Sequence, residues 1–318
     1  MKLFSGSSSV VLANLIAEKL YLKLTDCKLT RFSDGEVNVN ISETVRGDDC
    51  FIIQSTCNPV NEHIMELLII VDALKRASAK SVNVVIPYYG YCRQDRKAQP
   101  RQPISAKLVA NLITTAGADR IATIDLHADQ IQGFFDIPLD HLYAKPVIFN
   151  YINNELMNED LVIVSPDAGS AVRVYNLAKK INHPMAMIDK RRVKPNEIES
   201  MNLIGDVKGK TAFIIDDIID TGGTLCKAGE LLREMGAKKV YAFATHGVLS
   251  GKAYERLLGP NSPFEKVLIT NTIPTNIELV EDYTKKYGSK LEVLDVSPLF
   301  SEVIKRICSH TSVSSLFV

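Results

Sequence analysis

The chain has 318 residues, of which 46% are hydrophobic and 23% are charged. This composition is typical of a globular protein with a large buried core, which excludes disorder, and the length suits two α/β domains. Lysine and arginine together number 37, as do aspartate and glutamate, so the formal net charge is zero. Because no positive charge is in excess, we expect neither nucleic acid nor an anionic membrane as a partner.

The cysteines and the apolar runs indicate a cytoplasmic protein. None of the six cysteines forms a Cys-x-x-Cys pair, and their irregular spacing favours a reducing compartment. The apolar segment from Val10 to Ala17 is far shorter than the roughly 18 residues that suggest a membrane span. Since Glu18 and Lys19 follow it without a small-residue cleavage site, we expect an amphipathic helix, not a signal peptide.

Short β-branched runs alternate with helix-period stretches along nearly the whole chain, which predicts a doubly wound α/β fold. Several runs are continuously apolar, as in a parallel sheet that helices cover on both faces. The predicted strands are Phe51–Gln54, Val82–Pro87, Ile121–Asp125, Leu161–Ser165, Ala186–Ile188, Ala212–Ile215, Val240–Ala244, Val267–Thr270 and Leu291–Leu294. The predicted helices include Glu62–Ala77, Ser105–Ala116, Ala171–Lys180 and Thr224–Met235.

A polar break at residues 153–160 divides the chain into two halves. It follows a helix that Pro146 would begin at Lys145, because proline is favoured in the first turn of a helix. We therefore expect one domain over residues 1–146 and a second over residues 147–318.

The strongest candidate site runs from Asp216 to Thr224. An apolar strand leads into Asp216 and Asp217, and the turn Asp220-Thr221-Gly222-Gly223-Thr224 then opens a helix. Free backbone N–H groups at such a helix start bind phosphate, and the upstream carboxylates can accept hydrogen bonds from sugar hydroxyls. A capped helix after a strand would explain Thr224 but not the three acids, so the pattern favours a pentose phosphate site.

The nearby segment from Gly205 to Thr211 resembles a phosphate-binding P-loop. It has three residues between its glycines where four are needed, and it precedes a strand where a P-loop follows one. We interpret it as a turn.

Four further segments lie at the ends of predicted strands and carry charged groups. The run Tyr88–Lys97 contributes Arg93 and Arg96, whose planar guanidinium groups suit polyphosphate oxygens. Strand ends also place Asp125, His127 and Asp167 where a divalent ion or a phosphate could be held. The basic run Asp189-Lys190-Arg191-Arg192 is either a solvated surface or a cationic flap that closes on a phosphoryl group.

Together these segments resemble the class I ribose-phosphate pyrophosphokinases, also called phosphoribosyl diphosphate synthetases. Five motifs carry the resemblance, and they occur in the order of the family: Arg31–Glu36, Tyr88–Arg96, Asp125–Asp140, Asp189–Arg192 and Asp216–Thr224. The resemblance implies two tandem phosphoribosyltransferase-like domains, each a mainly parallel sheet flanked by helices. It also implies transfer of the β,γ-diphosphoryl group of ATP to the 1-hydroxyl of ribose 5-phosphate, which serves nucleotide, histidine and tryptophan biosynthesis.

The resemblance assigns roles residue by residue. Lys190 and Arg192 would be catalytic, and Arg192 would also contact ribose 5-phosphate. The ATP site would comprise Phe32, Asp34, Gly35, Glu36, Arg93, Gln94 and Arg96, with Phe32 stacking on adenine from a neighbouring subunit. The ribose 5-phosphate site would comprise Asp216, Asp217, Asp220, Thr221, Gly222, Gly223 and Thr224. His127, Asp167 and Asp125 would serve Mg²⁺.

The family assembles as homohexamers that inorganic phosphate activates and ADP inhibits at an allosteric site. The matching positions here are Arg46, Ser312, Ser314 and Ser315, although a frayed C-terminus would explain the three serines equally well. Two positions depart from the pattern of the family. Ser170 replaces a glycine in the turn of Asp167, and Cys92 replaces a small alanine in the ATP loop, which we expect to make that loop sensitive to oxidation.

Two other functions remain open at this point. A phosphoribosyltransferase would also use Asp216–Thr224, but it does not require the Arg93–Lys97 loop. A non-catalytic regulatory subunit would keep the fold but not the charged residues, such as Lys190 and His127.

Overall fold

In the computed structural model, the described residues are 1–194 and 197–317, with side chains described outside 191–200. The strands are β1 Lys2–Ser5, β2 Cys27–Arg31, β3 Val37–Ile41, β4 Asp49–Ile53, β5 Ser81–Ile86, β6 Arg120–Ile124, β7 Leu139–Leu142, β8 Leu161–Ser165, β9 Met185–Lys194, β10 Glu197–Ile204, β11 Thr211–Ile219, β12 Lys239–Gly247, β13 Lys266–Thr270 and β14 Leu291–Leu294. The helices are α1 Val10–Lys19, α2 Val60–Arg76, α3 Ser105–Ala116, α4 Lys145–Glu155, α5 Ala171–Lys180, α6 Gly223–Glu234, α7 Ala253–Leu258, α8 Ile277–Tyr287 and α9 Ser297–Cys308. Short 3₁₀ helices cover Ser7–Ser9, Asp129–Phe134 and Ser314–Leu316.

The chain divides into two compact units. The first unit contains Met1–Ala144, Asn271–Pro274 and the chain from Asp295 onward, and the second contains Lys145–Thr270 and Thr275–Leu294. The expected domains, residues 1–146 and 147–318, stay a prediction.

The first unit is built on a five-stranded sheet in the order β1-β4-β5-β6-β7, in which every neighbouring pair is parallel. The central strands β4 and β5 are buried over nearly their whole length, because helices such as α2 cover them. Strands β2 and β3 form a separate antiparallel hairpin.

The second unit is built on a seven-stranded sheet in the order β10-β9-β8-β11-β12-β13-β14. All neighbouring pairs are parallel except β10 and β9. The core combines apolar residues of β8, β11 and β12 with buried residues of α6 and α7, among them Leu232 and Leu257. The predicted fold class, mainly parallel sheets flanked by helices, is therefore confirmed.

Elements with a clean apolar pattern match the sequence predictions best. The predicted bounds of Leu161–Ser165, Leu291–Leu294, Ser105–Ala116 and Ala171–Lys180 are those observed, and the amphipathic helix from Val10 forms α1. Among the described residues, no helix is both long enough and apolar enough to span a membrane.

Two predicted strands end too early because charged residues interrupt their apolar runs. The strand expected over Ala212–Ile215 continues to Ile219, since its pairing with β12 extends as far as Gly247. The strand expected over Ala186–Ile188 continues to Lys194, since β10 pairs with it antiparallel. In both cases the hydrogen bonds of a neighbouring strand outweigh the cost of polar residues in the strand.

Candidate active site

The acid pair of the second unit lies within β11, not after it. Asp216 pairs with Ala244 of β12, Asp217 is 6% exposed, and the Asp217 N–H donates to Oδ1 of Asp216 at 2.9 Å. Burial raises the pKa of the Asp216 carboxyl well above its usual range, and the charges of Asp217 and Asp167 raise it further. A desolvated carboxylate is a strong hydrogen-bond acceptor, so it suits the hydroxyl groups of a sugar.

Lys190 on β9 lies beside a third carboxylate of this unit. Its Nζ is 3.8 Å from Oδ2 of Asp167, and its side chain is only 8% exposed. Asp167 follows β8, which lies between β9 and β11 in the sheet. Three adjacent strands therefore bring Lys190, Asp167 and Asp216 to one region of the second unit.

The basic run after Ile188, expected to be a solvated surface or a cationic flap, belongs to the β9–β10 hairpin. Lys190 is paired with Met201 across that hairpin. The backbone of Arg192 belongs to β9, and its side chain lies outside the described residues.

The turn of Asp167 accommodates the unusual Ser170 without strain. Ser170 has φ −86°, an ordinary conformation for a residue with a side chain, and its N–H donates to Oδ1 of Asp167 at 3.0 Å. The Ser165 hydroxyl donates to the Asp167 carbonyl at 2.7 Å and holds the turn from the other side.

The turn between β11 and α6 contains Asp220, Thr221 and Gly222. Gly222 has φ +71°, which lies in the left-handed region that favours glycine. Helix α6 begins at Gly223, one residue before the predicted start, and within the described part of the chain no side chain caps it. Its first N–H groups are therefore available to an anion, as are the hydroxyls of Thr221 and Thr224.

The loop after β5 in the first unit is anchored to the end of β4 by Thr56. The Gly90 N–H donates to Oγ1 of Thr56 at 2.6 Å, and the Thr56 N–H donates to the Tyr88 carbonyl at 2.9 Å. A Cβ on Gly90 would lie 2.4 Å from the Thr56 carbonyl oxygen, so only glycine allows this approach. Cys92 in this loop is 3% exposed, so solvent barely reaches its thiol.

A cavity of about 630 Å³ opens beside this loop. Residues 58–62 line one side of it, and Tyr88, Gly90, Tyr91, Arg93 and Gln94 line the other. The Gln94 main chain is held at both ends, because its N–H donates to the Tyr91 carbonyl at 3.0 Å and its carbonyl accepts the Ala106 N–H at 3.2 Å. The cavity has the size of a small-molecule pocket and carries a guanidinium and an amide for polar recognition.

Phe32, Asp34, Gly35 and Glu36 form the tip of the β2–β3 hairpin. The Phe32 N–H donates to the Glu36 carbonyl at 2.9 Å, Oδ1 of Asp34 accepts the Glu36 N–H at 3.1 Å, and the Phe32 ring is 55% exposed. At the base of the tip, Arg31 forms a 2.5 Å ion pair with Glu62, which lines the cavity. The structure therefore brings the hairpin close to the cavity wall within the same unit.

Asp125 and His127 occupy different environments after β6. Asp125 is 6% exposed, has φ +41°, and accepts the Ala144 N–H with Oδ2 at 3.1 Å, which gives its carboxylate a structural role. The side chain of His127 is exposed. Arg96, in the loop between β5 and α3, is exposed as well. A metal-binding role for Asp125 and His127 stays a prediction.

No group of three or more His, Cys, Asp or Glu side chains could hold a metal ion by itself among the described residues. Magnesium usually keeps several waters and binds one or two carboxylates together with substrate phosphates. Asp167, with 40% of its side chain exposed, fits this mode of binding.

The expected regulatory residues all belong to the first unit. Arg46 is exposed in the loop before β4. The serine tail is held by Arg306, whose Nη1 donates to the Ser312 carbonyl at 2.7 Å and to the Ser315 hydroxyl. Phe317 packs edge-on against Tyr143 with ring centroids 5.5 Å apart, so the tail through Phe317 is packed, not frayed.

Comparisons with known proteins cover the whole chain. Residues 1–117 match the N-terminal domain of ribose phosphate pyrophosphokinase, and residues 165–318 match a phosphoribosyl synthetase-associated domain. A ribose-phosphate pyrophosphokinase of Caldanaerobacter subterraneus is 56% identical over 317 residues, covering 100% of this chain and 98% of that protein. The Bacillus subtilis ribose-phosphate pyrophosphokinase is 55% identical, covering 100% and 97%. The chain belongs to the ribose-phosphate pyrophosphokinase family.

A solved structure supports the same relationship. The phosphoribosylpyrophosphate synthetase of Mycobacterium smegmatis superposes with a TM-score of 0.89 at 44% identity, covering 97% of this chain and 99% of that one. The resemblance drawn from five sequence motifs is thereby confirmed.

Several residues around the candidate sites of the two units had no signal in the sequence. Thr56 gave no signal because a threonine after an apolar strand is common, and the cavity wall over residues 58–62 has no charge pattern that marks it. Ser250 and Arg256 reach the Asp220–Gly222 turn from about thirty residues further along the chain. Such contacts become visible only in the folded structure.

We predict that Gly90→Ala displaces the loop that carries Arg93 and Gln94. The added Cβ would lie 2.4 Å from a backbone oxygen that cannot move aside, so we expect a loss of about 1–3 kcal/mol in the free energy of unfolding. We also expect a higher KM for ATP. Urea denaturation and steady-state kinetics measure the two effects, and unchanged values for both would contradict the assigned contact.

Gly133→Ala is the matched control for this substitution. A Cβ at Gly133 meets no atom within 4 Å, so the free energy of unfolding and the KM for ATP should stay close to those of the native protein.

We predict that Asp216→Asn stabilises the protein in the absence of ligands. The raised pKa means that folding favours the protonated carboxyl of Asp216. In the native protein, the stability that this protonated carboxyl contributes is present at low pH and is lost as pH rises through the raised pKa. Asparagine keeps the carbonyl that accepts the Asp217 N–H but carries no charge. Thermal unfolding at neutral pH should therefore shift upward by about 2–4 °C, and the difference should shrink as pH falls.

Asp206→Asn is the control, because Asp206 is exposed and its pKa is lowered by the hydrogen bond from the Lys208 backbone. This variant should not gain stability at neutral pH. An Asp216→Asn variant that unfolds at a lower temperature than the native protein at neutral pH would show that the acid pair is not under strain.

Proposed function

We infer that this protein is a ribose-phosphate pyrophosphokinase that transfers the β,γ-diphosphoryl group of ATP to the 1-hydroxyl of ribose 5-phosphate. The products are 5-phosphoribosyl 1-diphosphate and AMP, which places the enzyme in nucleotide biosynthesis. The family relationship over the full chain supports this function. The structural observation that carries it is the buried acid pair of β11, which leads directly into the uncapped start of α6.

We propose that the sugar phosphate binds along this segment. The 5-phosphate would accept hydrogen bonds from the N–H groups of Gly222, Gly223 and Thr224. Asp216 and Asp217 would accept hydrogen bonds from the ribose hydroxyls. Because the ribose hydroxyls would be bound at one end of the segment and the phosphate at the other, the orientation of the sugar would be fixed. Fixed orientation is the main contribution of a protein to phosphoryl transfer, which needs little covalent chemistry.

We propose that ATP binds through the first unit. Arg93 and Gln94 of the cavity, together with Arg96, supply donors for the nucleotide, and Asp34, Gly35 and Glu36 supply the hairpin tip. The exposed ring of Phe32 is free to stack on a purine, in this family from a neighbouring subunit. This role for Phe32 is part of the proposal that the enzyme is a homohexamer.

We propose Mg²⁺ as the cofactor, with Asp167 and His127 as the protein contacts. Magnesium bound to nucleotide phosphates neutralises their charge during transfer. Lys190 contributes a fixed positive charge in a largely buried position, and Arg192 is proposed as its catalytic partner. Inorganic phosphate is proposed as an activator, bound with Arg46, Ser312, Ser314 and Ser315.

We predict equal amounts of AMP and 5-phosphoribosyl 1-diphosphate when the protein is incubated with Mg-ATP, ribose 5-phosphate and inorganic phosphate. Chromatography of the nucleotides measures the first product, and phosphorus NMR measures the second. ADP as the sole nucleotide product would contradict diphosphoryl transfer. Consumption of 5-phosphoribosyl 1-diphosphate only in the presence of a base would indicate a phosphoribosyltransferase instead.

We predict that Lys190→Ala lowers kcat by about 100-fold, the usual loss when one preorganised charge is removed from a transition state. ATP binding, measured by calorimetry, should change little, because the nucleotide contacts proposed here lie elsewhere. Lys180→Ala, on the exposed end of α5, is the control and should have native kcat. Equal losses of kcat and of ATP affinity in Lys190→Ala would assign the lysine a structural role.

A further inference from the structure

The turn that follows β11 is supported by a segment that the roles assigned above do not include. This supporting segment, residues 250–257, lies between the end of β12 and the last turn of α7. It is close to the turn because β11 and β12 are neighbours, and the Leu249 N–H donates to the Ile219 carbonyl at 3.1 Å where the two strands end.

Two side chains of the supporting segment hold the turn by hydrogen bonds. The Ser250 hydroxyl donates to Oδ1 of Asp220. Nη1 of Arg256 donates to the Thr221 carbonyl at 2.9 Å. The turn is therefore held at two consecutive residues, at the side chain of Asp220 and at the backbone of Thr221.

Packing places the supporting segment equally close to the glycines. A Cβ on Gly222 would lie 3.2 Å from Cγ of Leu257, a residue that is 1% exposed. A Cβ on Gly223 would lie 3.4 Å from Nη1 of Arg256. The guanidinium group therefore lies next to the first residue of α6, where the N–H groups of the helix are uncapped.

The charge of Arg256 matters because the surroundings of this turn are acidic. Asp216, Asp217 and Asp220 lie within the six positions before Gly222, and carboxylates repel the anion that the helix start would otherwise attract. The guanidinium group of Arg256, held at the Thr221 carbonyl, supplies a positive charge that opposes this repulsion. Its guanidinium group also has further N–H donors in a planar fork that matches phosphate oxygens.

We propose that Arg256 is a positioning residue for the phosphate group of the sugar substrate. It holds the Thr221 carbonyl and sets a positive charge beside Gly223, while Ser250 orients the carboxylate of Asp220. The inference rests on the proposed function and extends it to a residue more than thirty positions from the glycine turn. Discrimination between a phosphorylated and an unphosphorylated pentose then depends on Arg256 as well as on the helix start.

The test compares Arg256→Gln and Arg256→Lys with the native enzyme in steady-state kinetics. Arg256→Gln keeps an amide donor but removes the charge, so the KM for ribose 5-phosphate should rise about tenfold. The values of kcat and of the KM for ATP should stay within about twofold. Arg256→Lys restores the charge and should recover most of the affinity for ribose 5-phosphate.

Arg233→Gln is the matched control. Arg233 lies in the last turn of α6, the helix whose first turn lies beside Arg256. It donates to the carbonyls of Pro263 at 3.1 Å and Lys238 at 2.8 Å. It therefore resembles Arg256 in its bonding to backbone oxygens but lies at the other end of α6. Its loss should reduce stability without changing the KM for ribose 5-phosphate.

A binding measurement separates this proposal from the proposed function. Ribose 5-phosphate should raise the unfolding temperature of the native protein and of Arg233→Gln, and should do so much less for Arg256→Gln at the same concentration. Arg256→Gln with native KM, or with kcat and both KM values changed together, would overturn the positioning role. So would a lysine variant no better than the glutamine variant. A native protein that forms no AMP would instead refute the proposed function itself.

Discussion

The buried acid pair of β11 is the constraint on which the rest of the second unit depends. Placing Asp216 in a paired strand beside Asp217 costs stability, because burial and the charge of Asp217 oppose the ionisation of Asp216. The pairing of β11 with β12 runs past the acids to Ile219, whereas its pairing with β8 covers only Thr211–Ile214. The strand thus holds two strong acceptors rigidly, immediately before a turn that presents N–H donors.

Parallel strands explain why the functional groups of each unit collect where they do. In an open parallel sheet, the loops after neighbouring strands lie at the same edge, so residues distant in sequence become neighbours. In the second unit this brings Asp167, Lys190 and Asp216 together from three strands. In the first unit the ends of β4 and β5 bring Thr56 to Gly90, and the loop that carries Arg93 and Gln94 is shaped by that contact.

The sequence predicted the fold class, the acid-glycine segment and the charged loop that carries Arg93 and Gln94, because each depends on local pattern. Apolar periodicity identifies a buried strand such as β8, and a glycine pair after acids predicts a phosphate-binding turn. It did not show that β11 runs through Asp216 to Ile219, because local pattern treats two acids as the end of a strand. The roles of Thr56, Ser250 and Arg256 depend on contacts 30 or more residues apart in sequence, which no local pattern encodes.

The most direct test of this account is a crystal structure of the protein with ribose 5-phosphate bound. The account predicts the 5-phosphate within hydrogen-bond distance of the N–H groups of residues 222–224, with the ribose hydroxyls on Asp216 and Asp217. A sugar phosphate bound elsewhere, or one with its phosphate on the carboxylates and its hydroxyls at the glycines, would contradict it.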